Sequence, residues 1–147
     1  MSIVLPPFNL ERFTTAQDPV WQKVRQELAA GLKRTHWMWF VFPQLDGMGS
    51  SAMSRQYALT GLDEARAFLD HPVLGRRLLE GVGLVLSHAD RSIRAILGPP
   101  DDLKFQSCMT LFRAVAEDHR RALFQRALDV FYDGEPCGRT LAMLVRA

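Results

Sequence analysis

Residues 37–42 form an unbroken run of large apolar side chains, Trp-Met-Trp-Phe-Val-Phe, and this run constrains the fold more than any other feature. Aromatic side chains bury more apolar surface than any other type, so the chain must fold around this segment. The run is short enough to be a buried strand or a buried helical turn, and its pattern fits both.

The rest of the chain follows a helical hydrophobic period. Apolar residues recur at one-face spacing in several segments, as in Leu74, Leu78, Val82 and Val85, and no alternating strand pattern of useful length occurs. A length of 147 residues suits one core. The sequence therefore predicts an all-α fold, a single compact multi-helix domain spanning residues 1–147 around an aromatic core. The predicted core rings are Trp37, Trp39, Phe40, Phe42, Phe68, Phe112, Phe124 and Phe131.

Two glycines interrupt the predicted helix over residues 73–88. Gly81 and Gly83 lie in its interior, where each costs about 1 kcal/mol relative to alanine. We therefore expect a neighbouring helix to pass close to this segment.

The charge distribution and the lack of targeting signals indicate the location of the protein and the partners it is not expected to bind. The formal net charge is +2, and acidic and basic residues are spread evenly along the chain, so nucleic-acid binding is not expected. The N-terminus lacks the pattern of a signal peptide, and no window resembles a membrane span. Cys108 and Cys137 form neither a disulfide framework nor a CxxC motif. These features predict a cytoplasmic protein with reduced thiols and no membrane association.

No metal site or cofactor is predicted. The histidines are far apart in sequence, and none has the spacing of a known ligand motif. Residues 47–51 are rich in Gly and Ser but lack the Lys-Ser/Thr ending of a P-loop. Cys108 is expected to be a buried, inert thiol.

The candidate site lies at residues 36–51 and on a later helix. The aromatic run ends in polar groups, so its ends could line a cup in which an aromatic plane stacks a ring and polar groups bind its edge. His36 is the candidate catalytic residue, because an imidazole exchanges protons near neutral pH. The candidate ligand-binding residues are Trp37 and Trp39 as stacking walls, Gln44 as an edge contact, Ser50, Ser51 and Lys104 as anion contacts, and Ser107.

Two functions remain open at this stage. The first is binding of a small polar metabolite that carries a ring or an anion, with turnover left undecided. The second is a non-enzymatic helical interaction or regulatory module, in which the aromatic run is only core and an apolar patch is exposed elsewhere, for example beside residues 134–138. Convergence of His36, Gln44, Lys104 and Ser107 on accessible space would favour binding, and dispersal would favour the module. No particular protein partner is indicated.

Specific polar and aromatic positions along nearly the whole chain resemble a known family. The positions are Phe8-Asn9-Leu10, Arg12-Phe13, Ala16-Gln17, residues 36–40, Phe42-Pro43-Gln44, Gly49, Ser51, Tyr57, residues 71–78, Asp102-Leu103-Lys104, Ser107 and residues 109–112. In these the chain resembles the bacterial proteins grouped as domain of unknown function 1810, with Cys108 where that family tends to have Ser. The resemblance implies a mainly α-helical domain and brings no established activity or catalytic residue. Members are sometimes labelled calpastatin, but nothing in this chain looks like a disordered protease-inhibitor repeat.

Overall fold

The computed structural model describes residues 8–146. Within that range the chain forms ten helices and no strand, which confirms the predicted all-α fold class. In chain order the helices are α1 Glu11–Gln17, α2 Trp21–Ala30, α3 Met38–Val41, α4 Ala52–Gln56, α5 Leu62–Asp70, α6 Leu74–Leu86, α7 Ile93–Leu97, α8 Asp101–Val115, α9 Asp118–Tyr132 and α10 Gly138–Arg146.

Helix α8 is the centre of the fold, and α5, α7, α9 and α10 pack around it. Its rings join the neighbouring elements. Phe105 meets Phe42 edge to face at a centroid distance of 5.0 Å. Phe112 lies 5.5 Å from Phe68 of α5 and 5.8 Å from Phe124 of α9. Such ring pairs add about 0.5–1.5 kcal/mol each beyond their area burial.

The aromatic run forms one helical turn, α3, rather than a strand. Side chains on a helix point about 100° apart, so a single turn presents side chains in every direction. Trp37, Phe40 and Phe42 are buried, whereas Trp39 is only half-buried. Of the eight rings predicted to form the core, Trp39 and Phe131 are the two that are not fully buried.

A short parallel bridge fixes the chain that follows α3. The Asp46 amide donates to the Leu59 carbonyl at 2.8 Å, and the Leu59 amide donates to the Gln44 carbonyl at 2.9 Å. The bridge holds residues 44–46 beside the segment after α4. The intervening loop, residues 46–51, is thereby held next to α3.

The two glycines of α6 have different surroundings. A Cβ added at Gly81 would lie 3.1 Å from the Phe42 ring and 3.7 Å from the Leu28 side chain of α2, the neighbouring helix. A Cβ added at Gly83 would meet nothing within 4 Å. The prediction of close approach is right for Gly81 and wrong for Gly83.

None of the described helices combines the length and the apolar character that a membrane crossing requires.

Candidate functional site

A narrow crevice lies beside α3, where segments from four parts of the chain meet. Trp39 comes from α3, Gln44 from the bridge, Gly49 from the 46–51 loop and Lys104 from α8. The remaining lining residues are Met38, Phe42, Leu45, Ser54 and Tyr57. The free volume inside the crevice is about 10 Å³, which is roughly what one water molecule needs. Three of the predicted site residues therefore meet at a site that is nearly closed.

The polar groups of this crevice differ in whether they have protein partners, since the hydroxyls of Ser54 and Tyr57 have them. Within residues 8–146, the Trp39 indole N–H and the Gln44 side-chain amide make no hydrogen bond to the protein, whereas the Trp37 indole does. The Lys104 ammonium lies 5.8 Å from the centre of the Trp39 ring. Its nearest carboxylate oxygen, on Asp101, is 3.9 Å away. These groups present N–H donors that a ligand can satisfy.

The charge balance at the crevice is positive. Among its described lining residues Lys104 is cationic and none is a carboxylate. Asp101, the nearest acid, makes a closer pair with Lys33 through its other oxygen, at 2.9 Å. Lys104 thus retains most of its capacity to attract an anion, and its side chain is only 24% exposed, which limits screening by water.

His36 lies at the outer edge of the crevice and not within its lining. The side chain is exposed, and its ring centre is 6.5 Å from that of Trp39, with the planes tilted by 39°. An exposed imidazole there is free to meet a molecule bound against Trp39. It is not held by the surrounding protein in the way that enzymes fix their acid–base groups.

The two predicted serine contacts lie outside the lining. Ser51 caps α4, since its hydroxyl accepts the Ser54 amide at 3.1 Å and lies 2.9 Å from the Ser54 hydroxyl. Ser50 is exposed. Ser54, which sequence reasoning missed, lines the crevice instead.

Ser107 faces α10 rather than the crevice. Its hydroxyl is within hydrogen-bond distance of the Leu103 carbonyl, one turn earlier, at 3.2 Å, and of the Cys137 sulfur at 3.3 Å. Thr110 likewise donates to the carbonyl of Gln106 in its own helix, at 2.8 Å. Both hydroxyls are satisfied within the protein, which is the usual state of such residues inside a helix.

Trp37 belongs to a separate, fully bonded cluster. Its indole N–H donates to the Glu27 carboxylate at 3.0 Å, and the same carboxylate accepts the Thr35 hydroxyl and the amides of Arg34 and Thr35. Burial alone would raise the pKa of Glu27, but these donors outweigh it and lower the pKa from 4.5 to about 2. Trp37 is therefore a structural residue in this fold and does not line the crevice.

The two cysteines have contrasting environments. Complete burial raises the pKa of the Cys108 thiol. Partial burial would also raise that of Cys137, but hydrogen bonds from Ser107, from Thr140 and from the backbone at the start of α10 outweigh it and lower the pKa. Both thiols are free.

Other kinds of site have less support in the described residues. No group of three or more His, Cys, Asp or Glu there is arranged to hold a metal ion. Five large apolar side chains are exposed in that part of the chain, and they lie on five different segments. They are Leu32, Leu62, Leu103, Val130 and Val145. Val130 and Val145 lie on α9 and α10, the helices on either side of the turn at residues 134–138 that the interaction-module hypothesis names.

A family model describing a protein of unknown function, DUF1810, matches residues 7–144. The chain belongs to this family. The resemblance noted in the sequence is thereby confirmed. Gly49 and Tyr57, two crevice residues that were not predicted as site residues, are among the positions that carry it.

A solved structure agrees with the fold of this DUF1810 member. The chain is 49% identical to a conserved hypothetical protein of Mycobacterium tuberculosis whose crystal structure was determined at 1.38 Å. The match covers 95% of this chain and 99% of that one, with a TM-score of 0.92. No curated protein matches this DUF1810 chain.

Proposed function

We propose that this DUF1810 protein binds a small polar metabolite at the crevice between α3, the 46–51 loop and α8, through an anionic or acceptor-rich group. The observation that carries the proposal is the meeting of Trp39, Gln44 and Lys104, whose donor groups have no hydrogen-bond partner in the described chain. The donors of Trp39, Gln44 and Lys104 reach solvent, so a ligand that carries acceptor groups can replace the water around them.

The donors favour an anion over a cation. An indole N–H, an amide NH2 and an ammonium all donate, and no carboxylate in the described lining would attract a positive group. A carboxylate or phosphate oxygen placed between Gln44 and Lys104 would gain a charge-assisted bond of the stronger kind.

A ring on the ligand would lie outside the closed part of the crevice. The interior holds about one water, so a ring does not fit there without movement. Trp39 is half-buried and leaves part of its indole open to stacking, with His36 beside it. The ligand expected from this shape is an acid whose ring or body rests against Trp39.

Binding is favoured over turnover by the position of His36. The described lining of the crevice contains no histidine, and the exposed His36 side chain beside it makes no hydrogen bond to the described protein. If the ligand is turned over, His36→Ala abolishes the reaction and leaves binding intact. Equal activity of wild type and His36→Ala would show that His36 is not catalytic.

A cytoplasmic location accompanies this proposal. Both cysteines are free, which suits a reducing compartment that also holds small metabolites. Cell fractionation tests the location directly, and recovery from an oxidising compartment would contradict it.

The experiment is a thermal-shift screen of the purified protein against nucleotides, sugar phosphates, amino acids and carboxylic acids. A ligand at one hundred times its dissociation constant adds about 2.7 kcal/mol to the free energy of unfolding. We expect the hit to be an anion and to be lost in Gln44→Ala and in Lys104→Met, which keeps much of the apolar stem.

Lys23→Met is the matched control, because it removes the same charge from an exposed position on α2. Its stabilisation by the hit should equal that of the wild type. A hit that survives both crevice variants would place the ligand elsewhere. A screen without any hit would favour the interaction-module hypothesis.

A further inference from the structure

The crevice is smaller than the ligand proposed for it. Its interior accepts about one water molecule, although the Trp39 indole and the Gln44 amide beside it have no hydrogen-bond partner in the described protein. Part of its wall is the 46–51 loop, which contributes Gly49. Entry of a ligand group larger than water therefore requires that a wall move.

Helix α10 holds this loop in place from the outside. Arg139 donates from its guanidinium to the Gly47 carbonyl at 3.0 Å. The Thr140 hydroxyl lies 3.8 Å from the Met48 sulfur. The Met143 methyl group lies where it would come within 2.8 Å of a Cβ added at Gly47, so it packs directly on the loop backbone.

The anchorage of α10 is concentrated in its first turn. The Cys137 amide donates to the Thr110 hydroxyl of α8 at 2.8 Å, and the Ser107 hydroxyl meets the Cys137 sulfur. Thr140 is fully buried, whereas Val145 near the other end is 86% exposed. The turn before α10 includes Gly134 at φ +81°, a conformation that glycine adopts without strain. α10 is thus attached through its N-terminal end, where Arg139 and Thr140 also contact the loop, and Met143 and Leu144 pack against the core.

The contacts between α10 and the loop are weak enough to break often. The polar contacts between the described residues of the two segments are one exposed hydrogen bond and one long hydroxyl–sulfur contact, and the Met143 methyl group packs beside them. Elements held this lightly open locally at a much lower free-energy cost than global unfolding.

We propose that α10 is a latch on the 46–51 loop, and that movement of the loop away from α10 opens the crevice beside Trp39. The role of the opening in admitting a ligand rests on the proposed function, whereas the opening itself does not. A latch of this kind reduces the apparent affinity for a ligand that enters the crevice, because that affinity is the intrinsic affinity multiplied by the fraction of molecules that are open.

Collisional quenching of Trp39 fluorescence by acrylamide tests the latch without any ligand. Trp21→Phe provides the background, since Trp21 is half-buried and Trp37 is only 1% exposed. In that background we expect Arg139→Ala/Met143→Ala to raise the Trp39 quenching constant about twofold or more. The amides of residues 48–50 should also exchange hydrogen faster.

Arg121→Ala/Val145→Ala is the matched control, because it removes the same kind of charge and an exposed apolar side chain away from the loop. It should leave both measurements unchanged. Circular dichroism verifies that the helices remain. Quenching and exchange that stay at wild-type levels in the latch variant, or that rise equally in the control, would overturn the latch.

Iodide in place of acrylamide separates this result from the proposed function. Iodide is an anion, so Lys104→Met should lower its quenching of Trp39 while leaving quenching by neutral acrylamide unchanged. Iodide quenching that Lys104→Met leaves unchanged would count against the anion site and leave the latch standing. An unchanged acrylamide result in the latch variant would count against the latch alone.

Discussion

Trp37 and Trp39 are two residues apart in the same helical turn, yet they have opposite surroundings. Trp37 is 1% exposed, and its indole N–H is bonded to the Glu27 carboxylate. Trp39 is half-buried, and its indole has no protein partner in the described chain. The first residue is held by α2 and the loop after it. The second faces Lys104 of α8 across the crevice.

The difference distinguishes a residue that stabilises the fold, Trp37, from one that is available to a ligand, Trp39. A buried carboxylate with four donors is a completed cluster, and any further ligand there would have to break bonds that already exist. A partly closed surface with free donors is incomplete, and a ligand that supplies acceptors completes it. Two chemically identical side chains therefore serve different purposes, according to what the neighbouring helices bring to them.

We expect the largest effect on stability from loss of the Glu27 carboxylate, which is the acceptor in the cluster around Trp37. Glu27→Ala leaves the Trp37 indole, the Thr35 hydroxyl and two amides without their partner. We expect it to lower the free energy of unfolding by about 3–4 kcal/mol, as loss of one member of a buried charged network does. Urea denaturation of wild type and variant measures this. Gln44 lies in the crevice, and Gln44→Ala should change the free energy of unfolding by less than about 1 kcal/mol. Equal losses of stability in Glu27→Ala and Gln44→Ala would contradict the difference between the Trp37 cluster and the crevice.

The second effect is a dependence of stability on pH. The pKa of Glu27 is about 2 in the folded protein and ordinarily 4.5, so the unfolded chain binds the proton first as pH falls. The contribution of the carboxylate is therefore complete above about pH 4.5 and disappears as pH falls toward 2. Against Glu27→Gln, the wild type should be more stable by about 2–3 kcal/mol at neutral pH. Denaturation at a series of pH values should show this advantage shrinking in acid. A difference that stays constant down to pH 2 would contradict the role of the charge.

The smallest expected effect is the difference in stability between Trp37→Phe and Trp39→Phe. Trp37→Phe removes a bonded donor from the core, and we expect it to cost about 2 kcal/mol. Trp39→Phe removes an indole N–H without a protein partner, so its cost should stay below about 1 kcal/mol. Thermal unfolding of both variants gives the ranking. A larger loss for Trp39→Phe would show that Trp39 is part of the structural core after all.

Much of the fold was predictable because its determinants are local. Apolar spacing within single segments indicated the helices, and the loops fall at residues such as Gly31, whose φ of +72° suits glycine at a helix end. The six buried rings of the predicted core follow from residue type, since large apolar side chains in a chain of this length have few other places to go.

The site was only partly predictable because it is assembled from distant segments. Trp39, Gln44 and Lys104 were named from residue type, and they meet. Nothing in the sequence distinguishes Trp37 from Trp39, because the difference arises from Glu27, ten positions earlier, and from α8. Ser107 lies away from the crevice for a related reason, because its face of α8 packs against the segment at the start of α10, and no local sequence pattern predicts that contact.

The ring contacts of the core also determine how the chain must assemble. They run from Phe13 through Phe68 to Phe112 and on to Phe124, with neighbouring rings 5.0–5.8 Å apart. The partners in the first two contacts are separated by several tens of residues, so no small group of adjacent helices contains the whole set. Loop closure must precede those contacts, and this raises the entropic barrier to folding. We therefore expect slower folding than in a simple up-and-down bundle of this length, and a single cooperative transition rather than stepwise loss of helices.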